Sequence, residues 1–205
     1  MSTFVIGLSI GMLLFLLAAG LTLIFGMLRI INFAHGALYM LGAYLAYQVA
    51  LWAGFWWALV LVPVALALVG VLIERLTLRP IYSAPHEFQL LITFGLILVL
   101  EELVRVTWGL SGKSIAAPQW LSGSVSLFGS DVSRYRLFVI FVGASAITAL
   151  LLGIERSRVG LVIRSCSTHP QMAATLGVRV GRVRTGLFAL GAALGGLGGA
   201  MAGPM

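Results

Sequence analysis

The chain has 205 residues, 60% of them hydrophobic and only 9% charged, with a formal net charge of +7. A soluble globular domain carries about 25% charged residues, so this composition excludes one and indicates a polytopic α-helical membrane protein. The positive balance does not point to nucleic acid. Twelve of the thirteen basic residues are arginines set beside apolar runs, the pattern of membrane loops.

The first apolar run, Phe4 to Leu28, is free of charge and long enough to span a bilayer with some tilt. It starts without a basic leader and is too long for a signal peptide, so it is expected to stay as a membrane helix. Gly7 and Gly11 form a GxxxG pair that would permit close helix approach, although two small residues in a glycine-rich chain need no such role. No charged side chain occurs between Arg29 and Glu74, a stretch of 44 residues. That is too long for one span and suits two, about Phe33 to Ala50 and Phe55 to Ile73. Trp52, Trp56 and Trp57 mark the headgroup boundary between them, and Pro63 is expected to kink the second.

Glu74 to Phe88 reads as a polar loop punctuated by Pro80 and Pro85. A fourth helix follows, about Gln89 to Trp108, with Glu101 and Arg105 at i,i+4 spacing expected to pair on one face. Gly109 to Arg134 is rich in Gly and Ser and reads as an extended loop with a short hairpin around Ser124 to Phe128. A fifth helix spans about Tyr135 to Ile154. Glu155 to Arg184 is the longest hydrophilic segment, with six arginines, and a last apolar run leads from Thr185 to Met205. In it Gly191, Gly195 and Gly199 recur at a spacing of four, a stripe suited to close helix packing. The expectation is an all-α integral membrane bundle of about six transmembrane helices.

Arginine bias sets the orientation. With Glu155–Arg184 in the cytoplasm, nine basic residues fall inside and four outside or near the outer end, so the N-terminus is expected outside.

Chemistry has few places to reside. There is no phosphate-binding loop, zinc-protease pair, nucleophile elbow or dinucleotide fingerprint, so no enzyme activity is expected. The single cysteine, Cys166, and three scattered histidines, His35, His86 and His169, offer no metal-ligand spacing. Two features stand out. The joint Arg29 to Gly36 puts Arg29, Asn32 and His35 amid hydrocarbon, where polar groups require a reason. Either it is a tight cytoplasmic turn, with Arg29 reaching the headgroups and Asn32 capping the next helix, or two helices break inside the bundle and Asn32 and His35 line a pathway. The second feature is the stretch around Pro170 to Leu176. Pro170 suits the first turn of a short helix and Gly177 its C′ position, with Met172, Ala173 and Leu176 expected on one face. Flanked by arginines, it reads as a docking peg for a soluble partner or as a loop helix resting on the membrane.

Three stretches carry a resemblance. They are Gly20 to Tyr44; Glu74 to Pro80 followed by Leu90 to Gly95; and Gly160 to Arg164 with Met172 to Val178 and the glycine-rich helix after it. In these the chain resembles the permease subunits of bacterial ATP-binding-cassette importers for branched-chain amino acids, most closely the first of the two permeases such systems use. The resemblance covers essentially the whole chain, which is expected to form one permease domain, residues 1–205. It implies a second permease subunit, two ATP-binding subunits and a periplasmic solute-binding protein as partners, in a bacterial inner membrane. It implies that ATP is bound by the partners, with no cofactor in this chain. It also implies that His169, Pro170, Gln171, Met172, Ala173, Leu176 and Gly177 form the segment on which the ATPase docks. Asn32, His35 and Thr93 are the polar groups expected along a pathway. The family also serves urea, short amides and aromatic acids, so the solute is left open. Family members continue with further helices, so the chain is expected to be incomplete at its C-terminus. The alternative function is a secondary transporter or channel working without an ATPase; a lack of carboxylates in the central thirds of the helices speaks against ion coupling.

Overall fold

The computed structural model describes residues 2–28, 31–127 and 130–205. Six long helices dominate: α1 (Ser2–Leu28), α2 (His35–Ala53), α3 (Phe55–Ile73), α4 (His86–Trp108), α5 (Arg134–Arg156) and α8 (Val180–Ala202). Two shorter ones, α6 (Arg158–Thr168) and α7 (Pro170–Thr175), lie between α5 and α8. By length and composition α1, α3 with its continuation to Ile81, α5 and α8 qualify as membrane-crossing helices. α2 carries His35, three tyrosines and Gln48, and α4 carries Glu87, Glu101, Glu102 and Arg105; these dilute both below a simple hydropathy criterion, although each sits where a span was expected.

α8 is the axis of the bundle. In its apolar window 67% of residues are buried, against 22% in α1 and α3 and 11% in α5, which identifies it as the helix the others wrap. α1, α2 and α3 pack around it. The small residues make this contact one of backbone on backbone. A methyl placed on Gly20 would lie 2.6 Å from the Gly191 carbonyl oxygen, and one on Gly191 would lie 2.8 Å from that of Gly20. Gly42 of α2 meets Gly196 in the same manner. Gly195 faces the His35 ring and Gly199 the Tyr39 carbonyl. Gly7 and Gly11, by contrast, face open space, and their GxxxG pair packs against nothing among the described residues.

The buried stripe of α3 runs Ala58, Val62, Leu66, Gly70, and then continues to Glu74 and Leu78. This corrects the expected polar loop. The helix does not stop at Ile73 but goes on through a π-helical turn, Glu74–Leu78, and a 3₁₀ turn, Arg79–Ile81. Glu74 stays on the buried face because it follows Gly70 by four residues. Other boundaries differ too. Glu155–Arg184 is largely helical, in α6 and α7. Arg105 pairs with Glu102 (2.6 Å, both exposed), three residues away, and not with Glu101. The hairpin is real but wider than expected: Ser124–Leu127 (β1) pairs antiparallel with Ser130–Ser133 (β2). Phe128, where the expected hairpin ended, and Arg29 lie outside the described residues.

The entry into α2 is the feature that positions the site. His35, its first residue, sits within 3.1 Å of the Leu17 carbonyl oxygen, which is about 16 Å short of the end of α1 at the helical rise. Its ring also lies against Gly195 of α8. Gly195 in turn adjoins Gly196, which meets Leu66, near the middle of the Phe55–Ile81 span. α2 therefore begins at mid-depth. The joint is thus not a tight turn at the end of α1; it folds back into the bundle.

Candidate functional site

At mid-depth the turn before α2 gathers polar groups without partners. Asn32 and His35 are 1% and 2% exposed, yet both amide atoms of Asn32 and Nδ1 of His35 find no hydrogen-bond partner among the described residues. The expected capping role of Asn32 is not what forms. Ala34 occupies the N-cap, in helical backbone conformation, and no side chain caps the helix. Asn32 contributes only its carbonyl, which accepts the His35 N–H at 3.1 Å, and Leu38 N–H reaches Ala34 O at 3.0 Å. The N–H groups of Gly36 and Ala37 find no acceptor among the described residues. A helix start leaves such donors unsatisfied, and they carry the positive end of the helix dipole. Gly36 opens onto free space.

His35 Nε2 can only donate to the Leu17 carbonyl, since that oxygen is an acceptor. In the neutral imidazole Nδ1 is then an acceptor.

α4 brings further polarity. Trp108 Nε1 donates to Gln48 Oε1 (3.2 Å) and its ring packs at a tilt against Tyr44 with centroids 5.6 Å apart, so the end of α4 lies level with the C-terminal half of α2. Gln89 and Leu90, near the other end of α4, line a cavity of about 340 Å³ with Phe25, Ile31 and His86. Gln89 is buried; its Nε2 donates to Ile81 O (3.2 Å) and Ala84 O (3.0 Å), and its Oε1 has no partner among the described residues. Thr93 follows Gln89 by one turn, is fully buried, and donates to Leu90 O at 3.0 Å. Sequence reasoning misses Gln89 because it stands at the expected boundary of the fourth helix, which starts at His86 instead. The available signal was its spacing, i−4 from Thr93.

The second constellation is α7. His169 takes the N-cap without a side-chain hydrogen bond, and Pro170 starts the helix. At the other end Val178 N–H reaches Ala173 O and Gly177 N–H reaches Ala174 O, both at 3.0 Å, with Gly177 at φ +85°. This is a Schellman closure with glycine at C′. Gln171 and Thr175 are exposed. Met172 and Leu176 are 64% and 80% exposed, whereas Ala173 is buried with Met27, Cys166 and Leu187. The expected common face for Met172, Ala173 and Leu176 is thus split. Ala173 anchors the helix, and the two large side chains project outward. Burial raises the Cys166 thiol above its ordinary range, against a smaller opposite effect of Arg184.

A further buried polar group is the carboxylate of Glu74. Glu74 accepts from Tyr82 Oη (2.6 Å) and from Thr185 Oγ1 (2.8 Å), and the Arg184 guanidinium lies 5.2 Å from the Tyr82 ring centre. Burial, then the hydrogen bond to Glu74, holds the Tyr82 phenol well above its ordinary range. The carboxylate ties the end of α3 to the start of α8, directly after the segment that carries α7. Among the described residues no cluster of metal-ligating side chains occurs.

Comparison with known proteins gives one family. The family model described as "branched-chain amino acid transport system / permease component" matches residues 3–205. The chain is 29% identical over 216 residues to the high-affinity branched-chain amino acid transport system permease protein LivH of Salmonella typhimurium, covering 96% of this chain and 68% of that protein. LivH of Escherichia coli K12 gives the same figures. The permease protein BraD of Pseudomonas aeruginosa is 28% identical over 202 residues, with 92% of this chain and 66% of that protein covered. No solved structure matches.

Proposed function

Because this chain belongs to the family of branched-chain amino acid transport system permease components, we propose that it is the membrane-spanning subunit of an ATP-driven importer that carries branched-chain amino acids or a closely related small solute. The observation that carries this reading is the family match over residues 3–205. A second permease, two ATP-binding subunits and a solute-binding protein complete the assembly, in a bacterial inner membrane with the N-terminus of this chain in the periplasm. ATP is hydrolysed on the partner subunits. Supporting the docking assignment, α7 presents Met172 and Leu176 to solvent from a helix anchored by buried Ala173 and closed at Gly177. Supporting a pathway role for Asn32, His35 and Thr93, the turn before α2 lies at mid-depth, where transporters place solute sites between broken helices. Gly191, Gly195 and Gly199 serve helix packing.

The test is co-expression with the candidate ATP-binding, second permease and binding-protein subunits, followed by leucine uptake into proteoliposomes. Uptake that requires internal ATP, and is lost with Met172→Asp/Leu176→Asp as the ATPase dissociates, supports the reading. Uptake without any ATPase would replace it with a secondary transporter.

A further inference from the structure

The joint between α5 and α6 is tight, and it leaves a groove beside α8. Ser157 Oγ accepts the Gly160 N–H at 3.0 Å, and a methyl on Gly160 would strike the Ile154 carbonyl oxygen. Arg164 Nη1 donates to the Ile154 and Glu155 carbonyls and holds α6 against the end of α5. Between α5, α6 and α8 lies a cavity of about 410 Å³, walled by Ala146, Leu150, Gly153, Ile163, Leu190 and Leu194. A second cavity, of about 360 Å³, shares Val159, Ile163 and Leu190 with the first and runs on to Val183 and Arg182. The two form one apolar groove with an arginine in its wall. From Leu194 to Arg182 the groove follows α8 for about 18 Å at the helical rise, close to the ~15 Å half-thickness of bilayer hydrocarbon. It therefore has the depth of one leaflet, and Arg182, in the first turn of α8, stands at its headgroup end. Arg182 is exposed and forms no ion pair among the described residues. Val159 and Leu161 of α6 are exposed as well, an arrangement suited to the lipid interface.

We propose that this groove binds one anionic phospholipid, with an acyl chain along the α5–α8 wall and the phosphate on Arg182. The wall suits the chain. Its one hydroxyl, on Ser157, is already bonded to Gly153 O and to the Gly160 N–H, so hydrocarbon leaves no polar group without a partner there. The guanidinium suits the phosphate, whose oxygens match its planar fork. Charge selects the headgroup. The segment from Glu155 to Arg184 holds six arginines against the single acid Glu155. Arg158 directly precedes Val159 of the groove wall, and Arg179 directly precedes α8. A zwitterionic headgroup would bring its own cation into this positive field, whereas an anionic one brings none. Basic pockets between membrane helices hold acidic headgroups for the same reason. α6 and α8 flank α7 in the chain, so a lipid held between them braces the frame from which Met172 and Leu176 project. The site requires only that α5 and α8 cross the membrane, and it is independent of the solute carried.

The experiment places the full chain in phosphatidylcholine nanodiscs holding a trace of phosphatidylglycerol with a photoreactive acyl terminus. Attachment sites are mapped by peptide mass spectrometry, with unlabelled lipids as competitors. Labelling is expected to centre on residues 146–153 and 190–194, and unlabelled phosphatidylglycerol should compete at least about fivefold better than phosphatidylcholine, the effect of one basic side chain on an anionic lipid. Arg182→Gln should lower the labelling by about the same factor, and Arg182→Lys should keep most of it. Gly153 opens onto free space, so Gly153→Phe should fill the groove, abolish its labelling and leave the melting temperature unchanged. Should Gly153→Phe fail to fold, Arg182→Gln, at an exposed position, decides alone. Equal competition by the two lipids, or wild-type labelling in Arg182→Gln, overturns the site. Loss of groove labelling when the chain is assembled with a second permease subunit also overturns it, because a protein then covers the groove.

Discussion

Thr185 holds Glu74 across the bundle: its hydroxyl donates to Oε2 at 2.8 Å from a position 111 residues further along the chain. The carboxylate is fully buried, so each partner is needed. Thr185→Val is expected to lower stability by about 1–3 kcal/mol, the cost of removing one partner from a buried polar group. Glu74→Gln and Thr185→Val combined should lose less than the sum of the single changes, since the two share one bond. Thermal unfolding in detergent across the four proteins checks this; strict additivity would mean that the bond carries no energy.

The reciprocal fit of Gly20 and Gly191 leaves no room for a side chain. Gly20→Val is expected to prevent the packing of α1 on α8 and to reduce the folded protein recovered from membranes several-fold. Gly7→Val, on a glycine facing open space, should be recovered like wild type. Size-exclusion profiles of the two purified variants separate the cases.

In α7 the inward and outward residues should behave oppositely. Ala173→Asp places a charge among Met27, Cys166 and Leu187 and is expected to unfold the local structure. Met172→Asp and Leu176→Asp change exposed positions and should leave the melting temperature of the isolated chain unchanged while abolishing ATPase co-purification. Gly177→Ala, at φ +85°, is expected to cost about 1–2 kcal/mol through the left-handed backbone alone.

Cys166 provides a pH-dependent readout. Its thiol is buried and raised, so the folded chain holds less thiolate than the unfolded one at any given pH. The neutral thiol's contribution to stability is present below the unfolded value and is lost as the pH rises through the folded one. Maleimide labelling should be slow near neutral pH, should accelerate only under alkaline conditions, and should be fast at all these pH values in denaturant. Equal rates with and without denaturant would contradict the burial.

The sequence makes the apolar helices plain because long uncharged runs have one stable solution in a bilayer. α3 begins at Phe55 as expected, and Pro170 and Gly177 mark α7, since φ restriction and φ freedom act locally. What was hidden depends on depth and neighbours. Glu74 points to a loop in the sequence because charge usually marks the membrane surface, although its place four residues after Gly70 keeps it on the buried stripe. Asn32 leaves two readings open in the sequence, cap or pathway group, because its local preference is to cap; the chain turns back into the bundle, and Ala34 takes the cap position. Glu102 replaces Glu101 beside Arg105 because i,i+3 and i,i+4 spacings are both within reach on a helix.

α8 combines two properties that seldom coincide: it is the most enclosed of the membrane-crossing helices and also the richest in glycine. Glycine adds little to partitioning into lipid, and the first turns of α8 hold Arg182 and Arg184. Such a segment has little tendency to settle in a bilayer by itself. Synthesis runs from the N-terminus, so α1, α2 and α3 are in place before α8 emerges, and the groove between them is the environment that receives it. The order of the helices along the chain is thereby also an order of biogenesis, in which the axis of the bundle is the last of these four helices to arrive.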